Sequence, residues 1–451
     1  MTNPTVKEHA YRVTLRVMAG LQEHVGISPN VHYLPKGRNS PRVICLALAG
    51  IHPSYLDKIR ASREKLSMWA QLSDQDKLRV SFQGTNISIE IPKPKRFWTQ
   101  VTVESLTHQH AIRRGLVATL GSGLQGEPLR IDFRQGDVAH VLLAGQTRSG
   151  KTNAQRLIAW MIAANNSPDE AKMVVVDVAK RGMRWADFNE IPHMAHPVIT
   201  DLALAENLLT WLLKEADERA RRRVSSPRLF VFIDELAALL EDSNVAGPAL
   251  TRLAATSGEV GIHLILATQH PHVKLLGSSD LKYNLNVRLV GRVGDASMSS
   301  NAVGLPAAGA ESLLGYGDML IRDGGGVRRL TMAKLEDRHV AMLQYRNGHG
   351  GNGVLPLADI SPAETEDGDG AESLKPVGPE VAGKLLANWT DRNIMGLDKI
   401  KRLSGGNETF NRRKQEYMVG LIRQLQEDMP LGSMIDPHAL SLDQHPNQSN
   451  G

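Results

Sequence analysis

His140-Val141-Leu142-Leu143-Ala144-Gly145-Gln146-Thr147-Arg148-Ser149-Gly150-Lys151-Thr152 is the stretch on which the fold turns. Its last eight residues fit the phosphate-binding pattern G-x-x-x-x-G-K-[ST] in full. The apolar run Val141–Ala144 predicts a strand before the loop, and Asn153–Ala164 predicts a helix after it. That context is what the chemistry requires. Glycines let backbone N–H groups approach phosphates closely, and the helix N-terminus adds positive potential. Gly145, Gln146, Thr147, Arg148, Ser149, Gly150, Lys151 and Thr152 are therefore the expected ATP cradle. Lys151 is to neutralise β/γ-phosphate charge and the Thr152 hydroxyl to ligate Mg²⁺.

A second element supports the first. Leu229-Phe230-Val231-Phe232-Ile233-Asp234-Glu235 reads as a buried strand ending in two acids. Beside a phosphate loop, Asp234 is expected to hold the Mg²⁺ hydration shell and Glu235 to orient or deprotonate the attacking water. Thr268 and Gln269 end the next apolar strand, where a polar side chain can touch the γ-phosphate or that water. Asp177 and Lys180 follow Met173–Val176 and read as a solvated loop. His270 and His272 flank Pro271 without further ligands nearby, which argues against a metal site there.

Outward from these motifs the pattern alternates. Strands are predicted at His140–Ala144, Met173–Asp177, Leu229–Asp234, His263–Thr268, Val287–Val293 and Asp318–Arg322, with helices between most of them. Such alternation predicts an α/β fold with a parallel sheet covered on both faces and ligands at the carboxyl ends of its strands. Residues 1–125 read instead as an α+β accessory domain. It has strands at Leu78–Phe82 and Asn86–Ile91, and a helix at Ser54–Trp69 whose Lys58, Arg60, Arg63 and Lys65 form a basic, solvated face. The motor is expected at 126–345, a flexible acidic Gly-rich linker at 346–379, a small helical module at 380–430 and a disordered tail at 431–451.

Composition narrows the class further. With 451 residues, 41% hydrophobic and 22% charged, the chain is long enough for two or three globular domains. Only 4% are aromatic, so a nucleic-acid partner would be held through phosphates rather than by stacked bases. The net charge of +5 leans weakly toward such a polyanion. The single cysteine, Cys45, excludes an intramolecular disulfide and lies in an apolar run that predicts burial. No stretch reaches the roughly 18 apolar residues a membrane span needs, and no signal-peptide pattern opens the chain. A soluble cytoplasmic protein without a membrane anchor is expected.

The order of motifs resembles the FtsK/SpoIIIE family of ATP-driven double-stranded DNA translocases. The match is carried by five segments. They are His140–Gly145; Ile233-Asp234-Glu235-Leu236-Ala237; Gly261-Ile262-His263-Leu264-Ile265-Leu266-Ala267-Thr268-Gln269; Asn286-Val287-Arg288; and Leu313-Leu314-Gly315-Tyr316-Gly317-Asp318-Met319-Leu320. Leu120-Gly121 through Gly126-Glu127-Pro128 resembles the family's lead into the motor, and Ile91–Val103 part of its ring-base domain. The resemblance implies a RecA-like P-loop NTPase motor that forms a ring, a hexamer, around duplex DNA. ATP then lies between subunits, with Arg288 reaching a neighbour's γ-phosphate and Arg292 as the near alternative.

The resemblance also implies a C-terminal winged-helix-like module. Candidate helices at Pro379–Thr390, Leu397–Leu403 and Phe410–Leu425 carry an excess of basic residues, which suits DNA contact or partner docking. Departures are the missing membrane-anchoring region, a short segment before Leu229, and His270 where an arginine is usual. Two further readings stay open: an ATPase that powers protein secretion, and a nucleotide-switched DNA-binding protein that does not translocate.

Overall fold

A computed structural model describes residues 5–346, apart from 28–29, 33–39, 74–75, 84–85, 109–114, 137 and 270–278. The chain divides into two compact units, Met1–Glu364 and Thr365–Gly451, and every described residue belongs to the first. The predicted linker, C-terminal module and tail, and His270 and His272, lie outside the described residues.

The chain opens on a helix, α1 (Val6–Val25), that the sequence reading did not foresee. Thr5 and Glu8 close a capping box at its start, and Gly26 ends it at φ +76°. Its buried face, Ala10, Val13, Val17 and Leu21, keeps helical spacing. A short strand β1 (Asn30–His32) and β2 (Val43–Ala49) follow. The predicted helix over 54–69 is two helices, α2 (Tyr55–Ala61) and α3 (Arg63–Trp69), because Ser62 leaves helical geometry at φ −87°, ψ 5°. A Cβ at Gly20 would meet the Trp69 ring at 2.9 Å, so the absent side chain sets how closely α1 and α3 pack. β3 (Arg79–Gln83) and β4 (Asn86–Pro92) complete an antiparallel sheet of order β1-β2-β4-β3. Val13, Val17, Leu21, Ile59, Leu66 and Ile89 belong to the core between it and the helices.

After α4 (Val103–His108) come β5 (Val117–Gly123) and β6 (Pro128–Asp132), which join the second sheet rather than the first. The accessory sheet therefore ends before the predicted boundary at 125. The chain then runs through β7 (Val141–Ala144), α5 (Lys151–Asn165), β8 (Ala171–Val176), α6 (Leu202–Arg222) and β9 (Arg228–Ile233). It continues with α7 (Leu236–Asp242), α8 (Ala246–Thr256), β10 (Ile262–Thr268), α9 (Ser279–Asn284) and β11 (Val287–Val290). Last are α10 (Ala296–Val303), β12 (Asp318–Asp323), β13 (Gly326–Met332) and α11 (Asp337–Arg346).

The nine strands lie in the order β6-β5-β13-β12-β11-β7-β10-β9-β8. Five of them, β11 to β8, are parallel as expected. The other four pair antiparallel, so the sheet is mixed and the all-parallel expectation is corrected. Side chains alternate cleanly across the parallel strands. Val141, Leu143, Val175, Phe230 and Phe232 pack on the α5 side, while Leu142, Val174, Val176, Val231 and Ile233 pack with α6 and α8. Strands buried on both faces read as continuous apolar runs, which is why these five were legible. This is the α/β fold of a RecA-like P-loop NTPase, with an α+β layer at its N-terminal side.

Candidate nucleotide site

Parallel register brings the strand ends to one edge. Ala144 is level with Thr268 and Val290, and Val176 is level with Ile233. Gly145, Gln269, Gly291, Asp234 and Asp177 thus emerge together. The β7 end sits between β10 and β11, where a ligand crevice belongs in a sheet of this topology.

The loop 145–150 is held in shape by its neighbours. Gly145 adopts φ +146° and Gly150 φ +108°; a Cβ at Gly150 would meet Gly317 N at 2.8 Å. Gln146 N donates to Arg292 O at 2.8 Å. Tyr316 N donates to Arg148 O at 2.9 Å, and Gly317 N to Ser149 O at 2.8 Å, so the 313–318 segment clasps the loop backbone. Lys151 Nζ donates across the loop to Gly145 O at 2.5 Å and Gln146 O at 3.3 Å. Burial pushes this ammonium down to about 8, with Glu235 and Asp234 opposing the shift and Lys180 adding to it. A phosphate arriving here meets a cation that burial has deprived of water, which strengthens the attraction. Gln155, fully buried on α5, donates to Ile233 O at 2.9 Å and Ile265 O at 3.1 Å and fixes the helix on the strands that carry the acids.

The acids divide into two groups of contacts. Thr152 Oγ1 donates to Asp234 Oδ1 at 3.2 Å, and Lys180 Nζ donates to Asp234 Oδ2 at 2.6 Å. Glu235 accepts from Gln269 twice, at Oε1 from the backbone N–H (3.1 Å) and at Oε2 from Nε2 (2.8 Å). Gln269 Oε1 in turn accepts from the Thr147 hydroxyl at 2.7 Å. The relay Thr147–Gln269–Glu235 joins the phosphate loop to the acid at the end of β9.

Asp177 and Lys180 are corrected by the structure. Asp177 is 1% exposed and accepts from Lys180 N at 3.0 Å and Gly182 N at 3.1 Å, and burial with the neighbouring Asp234 raises its carboxyl above the ordinary range. Asp177 is therefore not a solvated loop residue, and Lys180, though partly exposed, is held in an ion pair with Asp234. An acid at a strand end and a lysine three residues on give no periodic signal, so only the β8–β9 pairing shows where they meet.

Arg288, expected from the resemblance to reach a neighbouring subunit, is enclosed by its own chain here. It lies in mid-strand, level with Leu142, and is 7% exposed. Its guanidinium donates to Lys282 O (2.9 Å), Leu285 O (3.3 Å) and Ala302 O (3.4 Å), so its hydrogen bonds cap the ends of α9 and α10 within its own chain. Burial and the nearby Arg322 lower it to about 10. Arg292 is half-buried next to the loop, through the carbonyl already described.

The donor set suits Mg²⁺ with ATP. Among the described residues no cluster of three or more His, Cys, Asp or Glu is placed to hold a metal alone. One hydroxyl and one carboxylate in contact are what Mg²⁺ takes from protein when phosphate oxygens and waters supply the rest.

Sheet order, glycine-framed loop and paired acids define a P-loop nucleoside triphosphatase fold. Residues 106–224 match the model of the FtsK/SpoIIIE family. It is 30% identical over 311 residues to the DNA translocase SftA of Bacillus subtilis (strain 168), a match covering 61% of this chain and 32% of that one. It is 32% identical over 291 residues to a DNA translocase FtsK of Borreliella burgdorferi, covering 57% and 36%. The chain thus spans about a third of the length of these relatives. The solved structure of the pCW3 conjugation coupling protein TcpA, a monomer with ATPγS, is similar at TM-score 0.49 and 18% identity, over 74% of this chain and 99% of that one. No helix among the described residues is long and apolar enough to cross a membrane.

Proposed function

We propose that this chain is a Mg²⁺-dependent ATPase that moves along double-stranded DNA as a hexameric ring, in the cytoplasm, in chromosome, plasmid or phage DNA movement. The observation that carries the reading is the relay from Thr147 through Gln269 to Glu235, set beside the Thr152–Asp234 pair at one sheet edge. The names of the relatives, DNA translocases, support DNA as the substrate. Bound Mg²⁺ supplies positive charge against the phosphates, with Thr152 and Asp234 as its protein ligands. The backbone N–H groups of 145–152 and the start of α5 take the phosphate oxygens, and Lys151 neutralises them. Glu235 accepts a proton from the attacking water, Gln269 fixes the carboxylate, and Thr147 reports on the occupied loop.

The deciding experiment is ATP-dependent displacement of a triplex-forming strand from duplex DNA. Wild-type protein is expected to displace it. Lys151→Ala is expected to lose nucleotide binding, and Glu235→Gln to bind nucleotide yet fall on the order of 100-fold or more in hydrolysis and fail in displacement. ATPase activity stimulated by duplex DNA without displacement would overturn translocation and favour a nucleotide-switched DNA-binding protein.

A further inference from the structure

The β8 end places a second lysine in the site, and its geometry has a consequence for the metal. Lys180 Nζ lies 2.6 Å from Asp234 Oδ2, while Thr152 holds Oδ1 of the same carboxylate. Both oxygens of Asp234 are therefore taken by this chain's own donors. The lysine side chain is 37% exposed and the aspartate 1%, so the cation sits at the mouth and the anion at the floor. The turn that carries the lysine is fixed. Asp177 accepts two of its backbone N–H groups, Arg181 adopts φ +52° and Gly182 φ +69°. A Cβ at Gly182 would press on Val198 at 3.1 Å. Asp177 and Asp234 directly follow the paired strands β8 and β9; the Lys180 ammonium is set against Asp234, while its backbone N–H goes to Asp177.

We propose that Lys180 is a built-in counter-ion of the metal site: it holds Asp234 in the nucleotide-free chain and is displaced from that carboxylate when Mg²⁺ enters with the nucleotide. This rests on the nucleotide reading above. An ammonium 2.6 Å from a buried carboxylate neutralises it and keeps the pair of acids from repelling one another. Mg²⁺ needs an oxygen of the same carboxylate, directly or through its water, so metal and lysine compete for one anion. The displaced ammonium stays tethered beside the phosphate cradle, where it adds a second cation to Lys151. Metal binding is then an exchange of cations rather than an addition. Lys180 is a positioning residue here, acting through Asp234.

The test is binding of a fluorescent ATP analogue to the full chain, titrated with Mg²⁺ and repeated with Mg²⁺ chelated. Lys180→Met removes the competitor, so the Mg²⁺ concentration for half-maximal nucleotide binding is expected to fall on the order of tenfold. Binding without Mg²⁺ is expected to weaken several-fold, because one cation facing the phosphates is lost. Lys180→Gln keeps a hydrogen-bond donor without the charge and is expected to follow Lys180→Met. Lys180→Arg keeps the charge and is expected to restore wild-type Mg²⁺ dependence. Unchanged Mg²⁺ half-saturation in folded Lys180→Met or Lys180→Gln would overturn the exchange. If neither variant folds, acylation of Lys180 in wild-type protein, read by mass spectrometry, decides it. Reactivity must differ between nucleotide alone and nucleotide with Mg²⁺, and equal reactivity overturns the proposal. Wild-type protein that binds no nucleotide would instead overturn the site reading itself.

Discussion

At the scale of single residues, Arg288 separates two kinds of argument. Motif order places it as a cation for a neighbouring subunit, whereas its surroundings give it three carbonyls at two helix ends. The second role predicts a stability effect. Arg288→Ala leaves those carbonyls buried and unpaired and is expected to cost about 2–4 kcal/mol in urea unfolding, with nucleotide binding intact in the folded fraction. A variant of wild-type stability that binds ATP but does not hydrolyse it would return Arg288 to the inter-subunit role. Gln269 is the converse case. A polar residue at a strand end says little by itself, yet contact with both Thr147 and Glu235 gives it a defined place.

Among the elements, β7 and β10 illustrate how burial changes what a residue type does. His140 immediately precedes the first and His263 lies in the second. His140 Nδ1 accepts from Leu264 N at 3.0 Å, and His263 Nδ1 contacts Ala139 O at 2.9 Å. Burial pushes His140 down to about 3, aided by His263, and pushes His263 down to about 4 against a backbone hydrogen bond to Ala139. Both are neutral in the fold but gain protons in the unfolded chain below about 6.5, where the unfolded state binds more protons. Stability is therefore full above about 6.5 and falls as pH drops toward 4, by up to about 1.4 kcal/mol per pH unit for each histidine. Urea unfolding at pH 7, 6 and 5 measures this, and His140→Asn with His263→Asn is expected to flatten the slope. An unaltered slope in the double variant would assign the acid sensitivity to other groups. Helix α1 teaches a different lesson. Its apolar stripe is regular, but charged residues between the stripe positions dilute it, and its buried face shows only once α3 packs on it.

Across the whole molecule, the accessory layer and the motor are joined by buried charge. Arg329 on β13 pairs with Asp318 (2.6 Å) and with Glu90 on β4 (2.8 Å), while Arg79 on β3 pairs with Glu90 and donates to Ala308 O. Asp318 Oδ2 also accepts from Leu314 N at 2.8 Å, and Arg42 donates to Gly315 O at 3.0 Å. These contacts converge on the segment that clasps the phosphate loop. Val43, Cys45, Leu124 and Leu314 fill the apolar part of the same junction, where Cys45 is buried as its apolar run predicts. Arg329→Met strands Asp318 and Glu90 with fewer cations and is expected to destabilise by about 3–5 kcal/mol. Thermal unfolding followed by circular dichroism checks it; a loss under about 1 kcal/mol would mean that water or Arg79 compensates the acids.

The phosphate loop, the paired acids and the five parallel strands were legible in the sequence because each is a local pattern. Glycine spacing, lysine position and uninterrupted apolar runs are set within a few residues, and burial on both faces leaves no polar alternation to obscure them. Strand β13 was hidden for the opposite reason. Arg328 and Arg329 break its apolar pattern, and Arg329 faces inward only because Asp318 and Glu90, the latter 239 residues away, receive it. Lys180 against Asp234, Gln269 against Glu235 and the enclosure of Arg288 were likewise decided only by tertiary structure. Each depends on which strands become neighbours, and a strand order of 11-7-10-9-8 is settled by packing across the whole sheet rather than by any one segment of chain.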